Sequence, residues 1–413
     1  MDVFIPVFDE PIHLVEKALR AAQSMRGQHE TYLLDDGRRQ ACQVLADLLG
    51  AHYVTRPNNR DYKAGNVNHG LSHSQGEVIA VFDVDHLPSA EFLEFGLAPF
   101  HDSRVGFVQV RLSHSNADES LVAASANERN DRFFGAPMLG LNACGCAQAF
   151  GSNCFFRREA LEAIGGYKPG LAEDLLTSLH LHAAGWTSRY IPLVLARGLE
   201  PVDLASFRVQ QAKWANGVFS VLFSHYPGLA GQLSLGQNLG YLWRLSCYLA
   251  GPMVAGHLVV VILVLITDSG AGIAHGASYL LHGAPLIVLS WVVCVLADRG
   301  CRTTPAPSKW LSLWSLWAAY GMWPVYTAAF LRSLFGRKLA FEPTPKERSS
   351  GSLVRLFFWQ LATLGLLVWS LAAYLCVASI NLHAWPIIVF ALLQIVMHVG
   401  ACFVFGSSSL CKK

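Results

Sequence analysis

From about residue 235 onward the chain is dominated by apolar stretches near or above the twenty residues a bilayer core requires, and before that point it is not. Up to that boundary acids, bases and apolar runs alternate as in a globular domain. With 53% hydrophobic and 15% charged residues among 413, the whole is too apolar for an ordinary soluble enzyme and too polar to be all membrane. Two parts are expected, 1–235 and 236–413. A net charge of +2 gives no case for a nucleic-acid partner. The 10 cysteines form no C-x-x-C pair and no zinc-spaced cluster, and read as small buried residues of a reducing compartment. No cleavable signal peptide is read, because Met1 leads straight into an expected strand, Val3 to Val7.

Four segments of the second part are expected to span: about 241–267, 279–297, 353–380 and 385–405. Lys and Arg orient them by the positive-inside rule. The connections 268–278 and 381–384 carry neither residue and are expected outside. The connection 298–309 carries Arg299, Arg302 and Lys309, and 332–355 is more basic still, so both belong inside. A fifth apolar segment, 310–331, has basic flanks on both sides and reads as an interfacial helix, with Trp310, Trp314 and Trp317 on one face and a kink at Pro324. A tilted or re-entrant helix stays open there. The first part then lies in the cytosol.

Within that first part strands and helices alternate: strand Val3 to Val7, helix Pro11 to Ser24, strand Thr31 to Leu34, helix Arg39 to Leu49, strand Ala51 to Thr55, a helix near Ala64 to Ser72, and strand Val78 to Phe82. Such alternation predicts a mostly parallel sheet with helices on both faces and ligands at the carboxyl ends of its strands. Asp35 and Asp36 follow one strand, and Asp83 and Asp85 another, so both pairs are expected at the same edge. Each feature has a plainer reading. Asp35-Asp36-Gly37 is a common turn, Asp83 and Asp85 are acceptable as solvated loop acids, Lys63 as a surface lysine, Glu173 and Asp174 as helix caps, and Trp214 as an interfacial anchor.

The order of D-D-G, K-A-G-N at Lys63 to Asn66, D-V-D-H at Asp83 to His86, F-G-S-N at Phe150 to Asn153, E-D at Glu173 and Asp174, and Q-Q-A-K-W at Gln210 to Trp214 resembles family 2 glycosyltransferases of the cellulose synthase type. Phe341 to Lys346 also looks like that family's gating loop. The resemblance implies an α/β fold of GT-A type, a Rossmann-like mixed sheet in the cytosol, followed by an α-helical transmembrane domain in the cell (inner) membrane.

It also implies roles. Asp83 and Asp85 would hold Mg²⁺ or Mn²⁺ on the donor diphosphate, with His86 touching the site or packing beneath it. Asp174 would be the general base that takes the acceptor hydroxyl's proton. The donor would be held by Phe8, Glu10, Asp35, Lys63, Asp83, Gln210, Lys213, Thr344 and Lys346, and the acceptor by Phe150, Gly151, Ser152, Glu173 and Trp214. Phe8 stands where the family has tyrosine, Lys213 where it has arginine, and Pro343 where it has valine. A lysine cannot make the bidentate fork of a guanidinium to phosphate.

The function so implied is inverting, metal-dependent transfer of a sugar, glucose by resemblance, from a UDP-sugar to a growing β-glycan. Its partners would be a glycan or lipid acceptor, the lipid bilayer and accessory synthase subunits. Two rivals remain: transfer of one sugar to a membrane lipid carrier, and a non-catalytic scaffold. Relatives that thread a polymer generally have membrane helices before the first strand. Here the chain is expected to be a fragment lacking them, or to have a channel reduced or completed by a partner.

Overall fold

The computed structural model describes residues 1–267, 276–301, 313–337, 339, 353–377 and 385–410. In chain order its first elements are β1 (Asp2–Val7), α1 (Ile12–Gln23), β2 (Glu30–Asp35), α2 (Gln40–Leu49), β3 (His52–Val54), α3 (Tyr62–Ser72), β4 (Val78–Val81) and the short β5 (Leu87–Pro88). Then come α4 (Phe92–Leu97), β6 (Val105–Val110), α5 (Leu121–Phe133), α6 (Ala136–Ala143), β7 (Cys154–Arg157), α7 (Arg158–Ala163), α8 (Glu173–Ala183), β8 (Thr187–Ile191) and β9 (Ala196–Arg197). The remainder is helical: α9 (Leu204–Ser220), α10 (Tyr226–Leu229), α11 (Leu235–Ser246), α12 (Ala250–Thr267), α13 (Gly276–Cys301), α14 (Leu313–Gly321), α15 (Trp323–Leu334), α16 (Leu353–Val377) and α17 (Trp385–Leu410).

Two compact units result. The first comprises Met1–Ser115, Asn130–Glu200 and Asn216–Ser246; the second comprises Asn116–Arg129, Pro201–Ala215 and Cys247–Lys413.

The first unit is built on a seven-stranded sheet of order β3-β2-β1-β4-β7-β6-β8. All six residues of β1 are buried, as a strand covered on both faces requires. Successive side chains alternate. Val3, Ile5 and Val7 join Val15, Leu19, Ala80 and Phe82 in one core layer, while Phe4 joins Leu34, Ile79, Val81, Phe107 and Phe156 in the other. Each of these side chains other than that of Ala80 contributes roughly 1.5–3 kcal/mol on burial.

β1 pairs in parallel with β2 on one side and β4 on the other, and β2 pairs in parallel with β3. The chain therefore winds outward from β1 to β3, then returns across β1 to β4. That reversal is the switch point at which open α/β sheets open a crevice. β7 runs against both β4 and β6, so the sheet is mixed. β5 and β9 form a separate antiparallel pair.

In the second unit, Leu258, Val261, Ile262 and Leu265 of α12 pack with Trp323 of α15, Leu367, Leu371 and Tyr374 of α16, and Ile387 and Ala391 of α17. Among the described residues three helices are long and apolar enough to cross a membrane, Leu235–Thr267, Phe357–Cys376 and Trp385–Gly406, and Leu281–Ala297 is a shorter apolar helix. The expected helix at 310–331 is two helices, α14 and α15, parted at Met322. Pro324 does not kink a continuous helix. It lies in the first turn of α15, where its missing N–H has no intrahelical partner to lose. Tyr320 of α14 contacts Gln394 of α17 and lies 2.9 Å from His398 Nδ1, while His398 Nε2 lies 3.1 Å from Thr363 Oγ1 of α16.

Candidate active site

The loops after β1, β2 and β4 leave the sheet at its carboxyl edge. Asp35 ends β2 and is fully enclosed: its oxygens accept from Gly37 N (2.9 Å), Arg39 N (2.7 Å) and the Tyr53 hydroxyl (3.0 Å). A Cβ at Gly37 would stand 2.0 Å from Phe8 O, so only glycine lets the loops after β1 and β2 touch. Asp36 takes both arms of the buried Arg56, at 2.6 and 2.7 Å. The Asp35 and Asp36 carboxylates thus brace the rim. Phe8 is 43% exposed at the loop tip, and Glu10 turns back to accept from Phe8 N at 2.7 Å.

After β4, Asp83, Asp85 and His86 each offer one ligand atom, all within 4.8 Å of one another. His86 is buried with no hydrogen-bond partner at either ring nitrogen, and its Nδ1 lies 3.7 Å from Asp85 Oδ1. Two carboxylates and an orphaned imidazole suit a divalent cation, so the set includes His86 beside the two expected acids. His86 can lie there because residue 198 is glycine, where a Cβ would fall 2.5 Å from His86 Nε2. Behind it, edge-on to its ring, His114 holds Glu200 at 3.0 Å. Burial pulls the His114 pKa down, but the Glu200 carboxylate outweighs it and the net shift is upward.

Lys63 begins α3, which Asn66 ties to the end of β2 by donating 2.8 Å to Leu34 O. Its ammonium donates to Asp83 Oδ1 at 2.5 Å and to Gly151 O at 2.7 Å. Burial alone would lower the pKa of Lys63, but Asp83 and Glu173 more than reverse that. The expected phosphate clamp is therefore engaged with the acids of the site.

The loop from Phe150 to Asn153 enters β7 beside the exit of β4, and Asp83 N donates to Ser152 Oγ at 3.0 Å. Gly151 and Asn153 have φ of +78° and +55°. Gln109, a wholly buried residue of β6, holds this loop: its amide donates to Ser152 O at 3.0 Å and its carbonyl accepts from Phe150 N at 2.8 Å. The sequence reading missed Gln109, for which the signal is a lone amide in the apolar strand Val105–Val110.

Glu173 and Asp174 are the first two residues of α8, and the cap position is Ala172. Ala149 N donates to Ser178 Oγ at 2.9 Å and so fastens that helix to the loop. A Cβ built on Gly151 would lie 3.3 Å from Lys63 Nζ, 3.5 Å from Asp174 Oδ2 and 3.8 Å from Glu173 Oε1. The pKa of Asp174 is raised, chiefly by burial, against the Leu175 N–H, Lys63 and Arg244, which pull it down. A carboxylate so placed is a stronger base than a free aspartate. Arg244 of α11 lies over the Phe133 and Phe150 rings at 5.5 and 5.7 Å.

Thus Lys63, Asp83, Asp85, Gly151, Ser152, Glu173 and Asp174 come from sequence-distant loops to one edge, with Phe150 beside them. Gln210, Lys213 and Trp214 lie on α9 within the second unit, where Gln210 accepts from Gln211 at 3.2 Å. Thr344 and Lys346 lie outside the described residues.

Residues 2–165 match the family described as Glycosyl transferase family 2. A cellulose synthase 1 catalytic subunit [UDP-forming] of Komagataeibacter xylinus is 30% identical over 257 residues, covering 60% of this chain and 34% of that protein. A cellulose synthase catalytic subunit [UDP-forming] of Pseudomonas fluorescens (strain SBW25) is 28% identical over 378 residues, 88% of this chain and 49% of that one. The chain spans about a third to a half of the length of these relatives. In fold it is similar to a mannosyltransferase of Pyrobaculum calidifontis solved with GDP-Man and Mn²⁺, with a TM-score of 0.54 at 19% identity over 82% of this chain and 87% of that one. The mixed sheet is accordingly of GT-A type, residues 2–165 carry the family 2 glycosyltransferase match, and the chain is similar to cellulose synthase catalytic subunits over 60% to 88% of its length.

Proposed function

We propose that the chain is an inverting, membrane-integral glycosyltransferase that moves a hexosyl group from a UDP-sugar, glucose by kinship, onto a growing β-glycan. The glycosyltransferase unit faces the cytosol, on the side where the Lys and Arg of the connections accumulate. The observation that carries this reading is the meeting of Lys63, Glu173 and Asp174 within 4 Å of one point beside Gly151, with Asp83 bonded to Lys63.

Asp83, Asp85 and His86 would hold a divalent cation, which when bound offsets the charge that grows on the leaving nucleotide diphosphate. Asp174 accepts the proton of the acceptor hydroxyl as that oxygen attacks the anomeric carbon from the face opposite the diphosphate. Its raised pKa suits the task, and Lys63 pulls against that rise. Gly151 and Ser152 keep the approach narrow and free of side-chain bulk. The bond to the diphosphate oxygen breaks with its electron pair, so one base suffices.

The test is to supply membranes holding the chain with radiolabelled UDP-sugars and Mg²⁺, with GDP-mannose as a control, and to digest the product with linkage-specific hydrolases. A β-glycan from one UDP-sugar that Asp174→Asn abolishes without loss of UDP binding is the expected result. A single lipid-linked sugar would replace polymerisation with transfer to a carrier, and no incorporation from any donor would leave a non-catalytic scaffold.

A further inference from the structure

The acids at the carboxyl edge, with Asp85 buried and Asp83, Glu173 and Asp174 half-buried, repel one another unless a cation stands among them. Lys63 supplies one. Its side chain is 18% exposed, and it binds Asp83 Oδ1 and the Gly151 carbonyl at once. Glu173 and Asp174 add to its field. Nor can it swing far, because α3 is fastened at three places. Asn66 bonds Leu34 O, Asn68 donates to Tyr167 O at 2.9 Å, and a Cβ at Gly65 would meet Arg60 O at 2.1 Å.

We propose that Lys63 is a resident counter-cation of the metal site, holding Asp83 until a divalent ion and a nucleotide diphosphate arrive together, and thereby making the two bind cooperatively. The inference rests on the functional reading only for the ion and the diphosphate. Asp83 is both the partner of Lys63 and one of the three candidate ligands. An ion arriving alone must take that carboxylate from an ammonium that stays nearby, and like charges then repel. A diphosphate brings negative charge to both. Lys63 then exchanges Asp83 for a phosphate oxygen, and the competitor becomes a donor ligand. By linkage the ion tightens the nucleotide by the same factor that the nucleotide tightens the ion.

The experiment measures Mn²⁺ affinity of the purified chain in detergent by electron paramagnetic resonance, with and without UDP, corrected by a protein-free UDP blank. No sugar is transferred, so its outcome is separate from the activity test. In the wild type UDP should tighten Mn²⁺ by about tenfold or more. Lys63→Gln and Lys63→Met should each bind Mn²⁺ alone about tenfold tighter than wild type and lose most of the coupling. Lys63→Arg should keep it. Thermal melting of both neutral variants checks folding, and one folded variant suffices. The proposal is overturned if a folded neutral variant binds Mn²⁺ alone no tighter than wild type, if the wild type shows no coupling, or if Asp83→Asn binds Mn²⁺ as the wild type does.

Discussion

Replacing Gly151 by alanine separates two costs that the structure keeps distinct. The first is backbone strain: at φ of +78° an alanine pays about 1–2 kcal/mol that glycine does not. The second is position, since the new methyl would stand 3.3 Å from Lys63 Nζ and 3.5 Å from Asp174 Oδ2, among the groups that must meet donor and acceptor. Neither distance is a severe clash, so the fold should survive with a Tm lower by about 2–8 °C. Sugar transfer should fall about 100-fold, because the methyl occupies the space between these groups and forces donor or acceptor out of line. Gly50→Ala supplies the control. Gly50 has φ of +70° at the end of α2 and no neighbour within 4 Å of an added Cβ, so it carries the strain without the obstruction. The assay is the initial rate of label incorporation from the accepted UDP-sugar, beside melting of both variants. If Gly151→Ala transfers sugar as the wild type does, or Gly50→Ala loses as much, the recess beside Gly151 is not where the reaction occurs.

Arg56→Ala leaves Asp36 buried without its guanidinium and should cost about 3–5 kcal/mol, read as a lower denaturation midpoint. His182, buried between Tyr241 and Ser188, has its pKa pushed down to about 3 by loss of hydration. Because the folded form resists protonation below the unfolded value of about 6.5, stability should fall by about 1.4 kcal/mol per pH unit beneath it, roughly 2 kcal/mol at pH 5. His182→Gln should lack that slope, and melting at stepwise lower pH would show a parallel decline if the reasoning is wrong. The acid limb of the transfer rate should lie above the ordinary aspartate value because burial raises Asp174. Arg244→Gln removes a charge that lowers this pKa and should move the limb to higher pH; a limb that stays in place would detach Arg244 from Asp174.

Much of the sheet could be read from local pattern. Alternation and short apolar runs located β1, β2 and β4, and acids just beyond β2 and β4 implied a shared rim. Pairing between distant segments left no such mark. β7 runs against its neighbours, which nothing in Cys154–Arg157 announces. Asp35 was expected near the donor through the resemblance, and its bonds to Gly37, Arg39 and Tyr53, which arise only when the rim folds, could not be read beforehand. His86 joined the candidate metal set through Gly198, far along the chain, and Gln109 took its place through hydrogen bonds to a loop that sequence spacing cannot align with it. Lys63 was expected to hold the donor, and its bond to Asp83 across twenty residues is a tertiary contact that the sequence does not announce.

The reversed direction of β7 has a bearing on how firmly the site is held. Val81 pairs with Cys154, so the exit of one strand and the entrance of the other are stitched together regardless of how many residues separate them along the backbone. The excursion from Leu87 to Ala149 returns to that seam through β6, which pairs with β7 and whose Gln109 grips the loop entering it, so the two strand ends are clamped from a third strand as well.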